Sequence, residues 1–161
     1  MTATAEKMPV DVAELWKRTR SGRRTGHYYL ALFGVRRYDP VEVVAWIRRG
    51  VTYPAFERFQ RNTELPQRLL ARAAGISERT LARRKESGRL EPEETDRLVR
   101  IARVVARAIE LFEGDTDAAR EWLTGSAHAL GGRTPLEFAG TDAGAIEVAS
   151  LIGRLEQGIP A

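Results

Sequence analysis

Residues 69–85 read LLARAAGISERTLARRK, and this stretch decides the fold. Ala71, Gly75 and Leu81 stand at relative positions 1, 5 and 11 within it, the skeleton of a helix-turn-helix. Two helices crossing steeply over a short turn leave no room for a large side chain at their closest approach, which suits Ala71. Gly75 ends the first helix where positive φ is needed, and a residue without Cβ meets little resistance there. Ile76 can turn inward to anchor the turn, and the Ser77 hydroxyl can cap the second helix. With Leu81 on the core side, Glu78, Arg79, Ala82, Arg83 and Lys85 share the other face, and Ser77 and Thr80 stand at its exposed start. A short cationic helix of this kind suits the major groove, where Arg can read guanine edges or hold phosphates. The spacing alone is also compatible with a solvated basic face on a structural hairpin; the cluster Arg79, Arg83, Arg84, Lys85 favours DNA.

The chain has 161 residues, 43% of them apolar, enough for one ordinary domain or two small ones with a proper core. No apolar run approaches the roughly 18 residues that span a bilayer, and the polar opening MTATAEK is unlike a signal peptide, so a cytoplasmic protein without a membrane partner is expected. The absence of cysteine excludes disulfides, thiolate metal sites and a thiol nucleophile. The net charge of +4 conceals an asymmetry. Residues 1–90 hold 19 Lys plus Arg against 9 Asp plus Glu, a balance of +10, whereas residues 91–161 hold 7 against 13, a balance of −6. A basic half fits a polyanion, because neutralised phosphates release counterions; an acidic half is better placed to meet protein.

Outward from the central stretch, no segment shows period-two alternation, so the whole chain reads as all-α. A helix is expected over Val10 to Arg20, with Val12, Leu15 and Trp16 as its apolar stripe. The basic run Lys17, Arg18, Arg20, Arg23, Arg24, broken by Ser21 and Gly22, reads equally as an arm along DNA or as a solvated linker. His27 to Phe33 form an apolar patch ending at Gly34, with His27 structural. Asp39 and Pro40 open a helix, cap followed by proline, whose apolar positions are taken as Val41, Val44, Ala45 and Ile47 or Trp46. Tyr53 and Pro54 introduce another around Phe56 and Phe59; Asn62 to Glu64 make the break before Leu65, Leu69 and Leu70, which are expected to pack beneath the turn.

The longest helix is expected from Pro92 to Phe112, with Glu91, Glu93, Glu94 and Asp96 at its positive dipole end. Leu98, Ile101, Val105, Ala108 and Phe112 follow one face, widened by Val104 and Leu111, so this helix is either shared by both halves or part of a dimer interface. Arg97, Arg100, Arg103 and Arg107 read as a solvated stripe. Gly114 stops the helix, and Asp115 or Thr116 caps the next, which carries Trp122 and Leu123. A loop follows to Thr134, then a single turn from Pro135, and a last helix from Thr141 and Asp142 whose broad apolar surface (Ile146, Val148, Ala149, Leu151, Ile152, Leu155) ends at Gly158.

Three segments, ERTLARRKESGRLEPEETDRLVRIARVVARAIELF, AAREWLTGSAHALGGRTPLEF and the closing GAIEVASLIGRLEQGIPA, carry a resemblance to the Xre/MbcA/ParS antitoxin family over roughly Leu65 to Ala161. Its most specific features are Arg79-Thr80-Leu81 with Arg83-Arg84-Lys85, the series Trp122-Leu123, Leu130-Gly131-Gly132, Thr134-Pro135-Leu136, and the ending Gly153-Arg154-Leu155-Glu156-x-Gly158. Residues 1–64 match less clearly. The resemblance implies an antitoxin of a bacterial type II toxin-antitoxin system, in which residues 1–90 form a helix-turn-helix domain with a basic N-terminal segment and residues 91–161 form a toxin-binding domain, joined by the long helix. It implies repression of its own operon through Ser77, Glu78, Arg79, Thr80, Arg83, Arg84 and Lys85 on operator DNA. It implies a cognate RES-type toxin, one that consumes NAD or transfers ADP-ribose, occluded by Arg154, Leu155, Glu156, Gly158, Ile159, Pro160 and Ala161. A homodimer that forms a hetero-oligomer with the toxin is expected, and no cofactor or metal.

Catalysis has little to stand on in the residues. His27 and His128 are far apart in sequence and lack metal-ligand spacing, the acidic pair Glu93-Glu94 falls in a helix start, and Gly131-Gly132 is too short a signal for a phosphate loop. The alternative to an antitoxin is a dimeric helix-turn-helix regulator without a toxin partner.

Overall fold

The structure, a computed structural model, describes residues 11–12, 14, 16–17, 27–36 and 38–160. Leu15, the basic positions Arg18, Arg20, Arg23 and Arg24 with Ser21 and Gly22, and Ala161 lie outside the described residues. Among the described residues from 27 onward nine α-helices follow: α1 Tyr28–Leu32, α2 Pro40–Arg49, α3 Tyr53–Thr63, α4 Gln67–Ala73, α5 Glu78–Ser87, α6 Pro92–Leu111, α7 Thr116–Thr124, α8 Pro135–Phe138 and α9 Asp142–Glu156. A 3-10 turn, His128–Leu130, lies between α7 and α8. Among the described residues no strand occurs; a single antiparallel bridge joins Thr52 to Arg89. No helix among the described residues is long and apolar enough to cross a membrane.

Everything is arranged on α6. Leu98, Val99, Ile101, Ala102, Val104, Val105, Ala106, Ala108 and Ile109 are all buried, so the helix is apolar on every side but the strip that carries Asp96, Arg100, Arg103 and Arg107, and it needs cover from several directions. α1 and α2 supply it from the first half, and α7, α8 and α9 from the second. The long helix is therefore shared between the halves. Its start is closed by a reciprocal capping box between Glu91 and Glu94, with Pro92 at the first helical position.

The Arg stripe on α6 is solvated only in part: Arg103 is exposed, Arg97, Arg100 and Arg107 are half-buried, and each has a partner. Arg97 Nε donates to the Ala74 carbonyl at 2.7 Å, Arg100 pairs with Asp96 and reaches Asp142, Arg103 stands over the Tyr29 ring, and Arg107 pairs with Glu156. Each arginine reaches an element packed beside it. Long side chains lying along a crowded helix are within reach of neighbouring carbonyls, rings and carboxylates that sequence spacing does not reveal.

Four other expectations are corrected. On α2, Asp39 accepts from the Val41 and Glu42 amides as foreseen, but Val43 is the buried valine while Val41 and Val44 stay exposed. The segment VEVVAWI carries two helical stripes, and the one with Trp46 turns inward because its ring meets Phe33 edge-on at 5.3 Å, with Phe33 stacked on Phe59. Asn62 and Thr63 belong to α3 and are buried; Asn62 donates to the Leu32 carbonyl, and the break comes at Glu64, whose φ is +52°. Leu65 and Leu70 pack as expected, whereas Leu69 is exposed, as is Ile146 on α9.

The two halves are held together at a close backbone approach. Gly140, between α8 and α9, lies so near the carbonyl of Ala73, the last residue of α4, that a Cβ there would overlap it. Around it α8 packs on α4, and Arg120 of α7 pairs with Glu64 at 2.6 Å. Gly140→Ala should therefore lower stability by about 1–3 kcal/mol, read as a shift in the urea midpoint. If the two halves melt independently, the variant unfolds in two steps instead of one lowered step.

Candidate functional site

The helix-turn-helix forms from α4, a tight turn and α5. Gly75 has φ +69°, its N–H reaches the Arg72 carbonyl at 3.0 Å, and the Ile76 N–H reaches the Ala71 carbonyl at 2.8 Å. This is the paired closure that a glycine just past a helix end permits. Ile76 is buried beneath the turn with Ala71 and Leu81. Ser77 caps α5, accepting from the Thr80 N–H at 3.1 Å, and its hydroxyl donates to the Thr80 hydroxyl at 2.9 Å.

With this frame fixed, the expected DNA-facing residues separate into groups. Arg79 and Arg83 are exposed and, one turn apart, share the centre of the outer face with Ala82 and Glu86. Lys85 lies on a flank, beside a concavity of about 370 Å³ that Tyr53, Gln67, Leu81 and Ala82 also line. Ser77 is exposed at the helix start, Thr80 is half-buried, and Glu78 is exposed and paired with Arg68 at 3.2 Å.

Arg84 departs from the face. Its guanidinium lies inward, with only 14% of the side chain exposed, and makes two parallel bonds to Glu94, Nε–Oε2 at 2.8 Å and Nη2–Oε1 at 2.9 Å, with Nη1 3.3 Å from Glu91. A bidentate pair of this kind occupies the donors that would read a base. Arg84 joins the recognition helix to the start of α6. Sequence adjacency to Arg83 hid this, because one residue further along a helix is a turn of about 100° away from the outer face.

Two cations were missed. Arg68 and Arg72, four apart on α4, are exposed and line an open groove of about 340 Å³ between the two helices of the motif, with Gly75, Ser77 and Glu78. Their four-residue spacing on the face opposite Leu70 was the available signal. The first helix of such a motif crosses the DNA backbone, where cations meet phosphates.

At the other end of α6, the expected protein-binding residues are also divided. Leu155 is partly buried against the core, and Glu156 accepts from Arg107 Nη2 at 3.2 Å. Arg154 Nη1 donates to Ser150 Oγ. The chain does not leave the helix as an extended tail: Gly158 has φ +71°, its N–H bonds to Leu155, and the Ile159 N–H folds back to the Arg154 carbonyl at 3.0 Å. Ile159 and Pro160 are exposed beyond this closure; Ala161 lies outside the described residues. Among the described residues no group of three His, Cys, Asp or Glu could hold a metal.

The arrangement defines a helix-turn-helix protein whose basic motif and whose helical C-terminal unit are built on the two ends of one buried helix. Residues 42–103 match the antitoxin Xre-like helix-turn-helix domain, and residues 107–158 match the antitoxin Xre/MbcA/ParS C-terminal toxin-binding domain. The chain is 38% identical over 114 residues to an Antitoxin Xre of Yersinia enterocolitica, covering 70% of this chain and 77% of the relative. It is 34% identical over 116 residues to an Antitoxin Xre of Photorhabdus laumondii, 71% and 78% of the two chains. A more distant relative, the Prs ADP-ribosylating antitoxin of a Sphingobium strain, is 24% identical over 156 residues, 91% of this chain and 98% of that one. The chain belongs to the Xre antitoxin family, and as such it is a toxin-binding protein and not an enzyme.

The Arg84–Glu94 pair makes stability depend on acid. Burial by itself pushes the Glu94 carboxyl up, but the hydrogen bonds from Arg84 and the Glu91 amide and the charges of Arg84 and Arg97 outweigh it, holding the group below the usual carboxylate range. A carboxyl depressed in the folded state adds stability above its unfolded pKa, about 4.3, and loses it as pH falls through the folded value. Glu94→Gln should therefore cost on the order of 2 kcal/mol at neutral pH. Its difference from the parent chain should shrink in denaturant melts below about pH 4; a gap that stays constant with pH would mean the carboxylate charge is not what holds Arg84.

Proposed function

We propose that this antitoxin neutralises a RES-type toxin, one that consumes NAD or transfers ADP-ribose, and represses its own operon through α5. The observation that carries this reading is the separation of two exposed surfaces along one rigid helix. The recognition helix is tied to α6 at Glu94, and the C-terminal helix is tied to it at Arg107, thirteen residues or roughly 20 Å apart at 1.5 Å per residue. A toxin at one end and operator DNA at the other need not compete for the same side chains.

For DNA, the readers are Arg79 and Arg83, with Ser77, Thr80 and Lys85 at the edges of the face and Arg68 and Arg72 on phosphates; Arg84 acts as the fastener behind them. The basic balance of residues 1–90 supports a polyanion on this side. For the toxin, Arg154, Ile159 and Pro160 form the protruding contact, with Gly158 shaping it and Leu155 and Glu156 fixing the helix end from which it projects. The ADP-ribosylating chemistry in the Sphingobium relative's name supports a toxin of the NAD-handling kind.

Arg79→Ala and Arg83→Ala should each weaken binding to the promoter upstream of the antitoxin gene by about 1–3 kcal/mol, measured by fluorescence anisotropy at several salt concentrations, while neutralisation in co-expression stays intact. Unchanged affinity across the salt series would remove α5 from the DNA interface. For the toxin side, the chain truncated after Gly153 and the full chain carrying Ile159→Asp should both fold and both fail to protect cells expressing the RES-type toxin encoded next to it. Protection by either variant would overturn occlusion by the C-terminal end.

A further inference from the structure

A recognition helix meets base edges with its N-terminal residues, and the first residue of α5 is an acid, Glu78. The helix dipole favours a carboxylate in the first turn, but DNA phosphates repel one, so Glu78 lowers the affinity of α5 for DNA in general. An acid at this place is useful only against a hydrogen-bond donor. In the major groove guanine presents two acceptors, thymine an acceptor and a methyl group, and adenine a donor beside an acceptor. Cytosine presents its N4 amino group alone.

Glu78 is also held in one direction. Arg68 Nε stands 3.2 Å from Glu78 Oε1, across the open groove between α4 and α5 that Arg72 and Ser77 line with them. The two side chains are 83% and 78% exposed, and an ion pair so exposed adds little to the stability of the fold. Arg68 commits only Nε, which leaves its two terminal nitrogens without a partner among the described residues, and Glu78 likewise keeps Oε2. A guanidinium can therefore hold a phosphate with its terminal nitrogens while Nε steadies the carboxylate beside it. We infer that Glu78 reads the amino group of a cytosine in the major groove, and that Arg68, between a phosphate and Glu78, is the residue that positions it.

The inference rests on the proposal that α5 binds operator DNA, and it adds the base that the acid selects. Arg79 and Arg83 attract any DNA as well as guanine. Glu78 works in the opposite sense: it penalises every site that places an acceptor opposite it, which is how a repulsive element produces specificity. Arg68 limits the penalty at the correct site, because its charge lies between the carboxylate and the phosphate.

The test is fluorescence anisotropy of the full chain on the promoter duplex upstream of the antitoxin gene, with each base pair of the footprinted site replaced in turn, and on a scrambled duplex of the same length. The parent chain should prefer cytosine over every other base at one position of the recognition sequence by about tenfold. Glu78→Gln should exchange that preference for adenine, whose N6 and N7 an amide pairs with, and should bind the scrambled duplex more tightly than the parent does. Arg68→Met, with unchanged circular dichroism, should lose the cytosine preference and lower the slope of log affinity against log salt by about 1. Arg68→Lys should keep the slope, since the charge remains, and lose part of the preference, since the planar fork does not. A Glu78→Gln chain with the parent's base preferences, or one that tightens equally on promoter and scrambled DNA with no position altered, overturns Glu78 as a reader. If Arg83→Ala still weakens binding in that case, α5 stays on the DNA and only this inference falls. A parent chain that binds promoter and scrambled duplex alike, and is indifferent to Arg83→Ala, overturns the DNA reading and the inference together.

Discussion

The structure depends on the burial of α6 from several sides at once. A twenty-residue helix whose buried apolar face is too broad for one neighbour recruits α1 and α2 from one half of the chain and α7, α8 and α9 from the other. Neither set covers it alone. Two units of different charge and different sequence character thus share one core, and the helix-turn-helix motif and the C-terminal unit become parts of one body.

Polar contacts decide how the outer elements sit on this core. Arg84 draws α5 onto the start of α6 through Glu94, Arg97 reaches the carbonyl at the end of α4, and Arg107 holds the end of α9 through Glu156. These are side chains that a charge count assigns to solvent or to a nucleic acid. Partly buried and bonded to a neighbouring element, they act as fasteners, and their directionality orients helices that apolar packing alone would let slide. The residues left facing outward, Arg79 and Arg83 at one end and Ile159 and Pro160 at the other, are those that the internal bonding does not consume.

Much of this was legible in the amino-acid order because the signals are local. The Ala71–Gly75–Leu81 spacing, the Ser77 cap, the Asp39-Pro40 and Thr134-Pro135 starts and the stop at Gly158 all describe what the backbone does within four or five residues, and all appear in the structure. Arg84 was illegible for the opposite reason. Its partner is ten positions away on another helix, and nothing in RRK separates the arginine that turns inward from the one that turns out.

The sequence by itself determined the helices, their caps, the helix-turn-helix and the division of charge, since each follows from periodicity, from hydrogen-bonding side chains near helix ends, or from composition. Only the tertiary structure decided which stripe of α2 is buried, that the arginines of α6 are fastened to neighbouring elements, and that the chain folds back at Gly158 towards Arg154. Those outcomes depend on which aromatic ring, carbonyl or carboxylate stands opposite. A helix with two apolar stripes has no intrinsic reason to prefer either, and the choice is made by the shape of the surface it meets, here the ring of Phe33 waiting for Trp46.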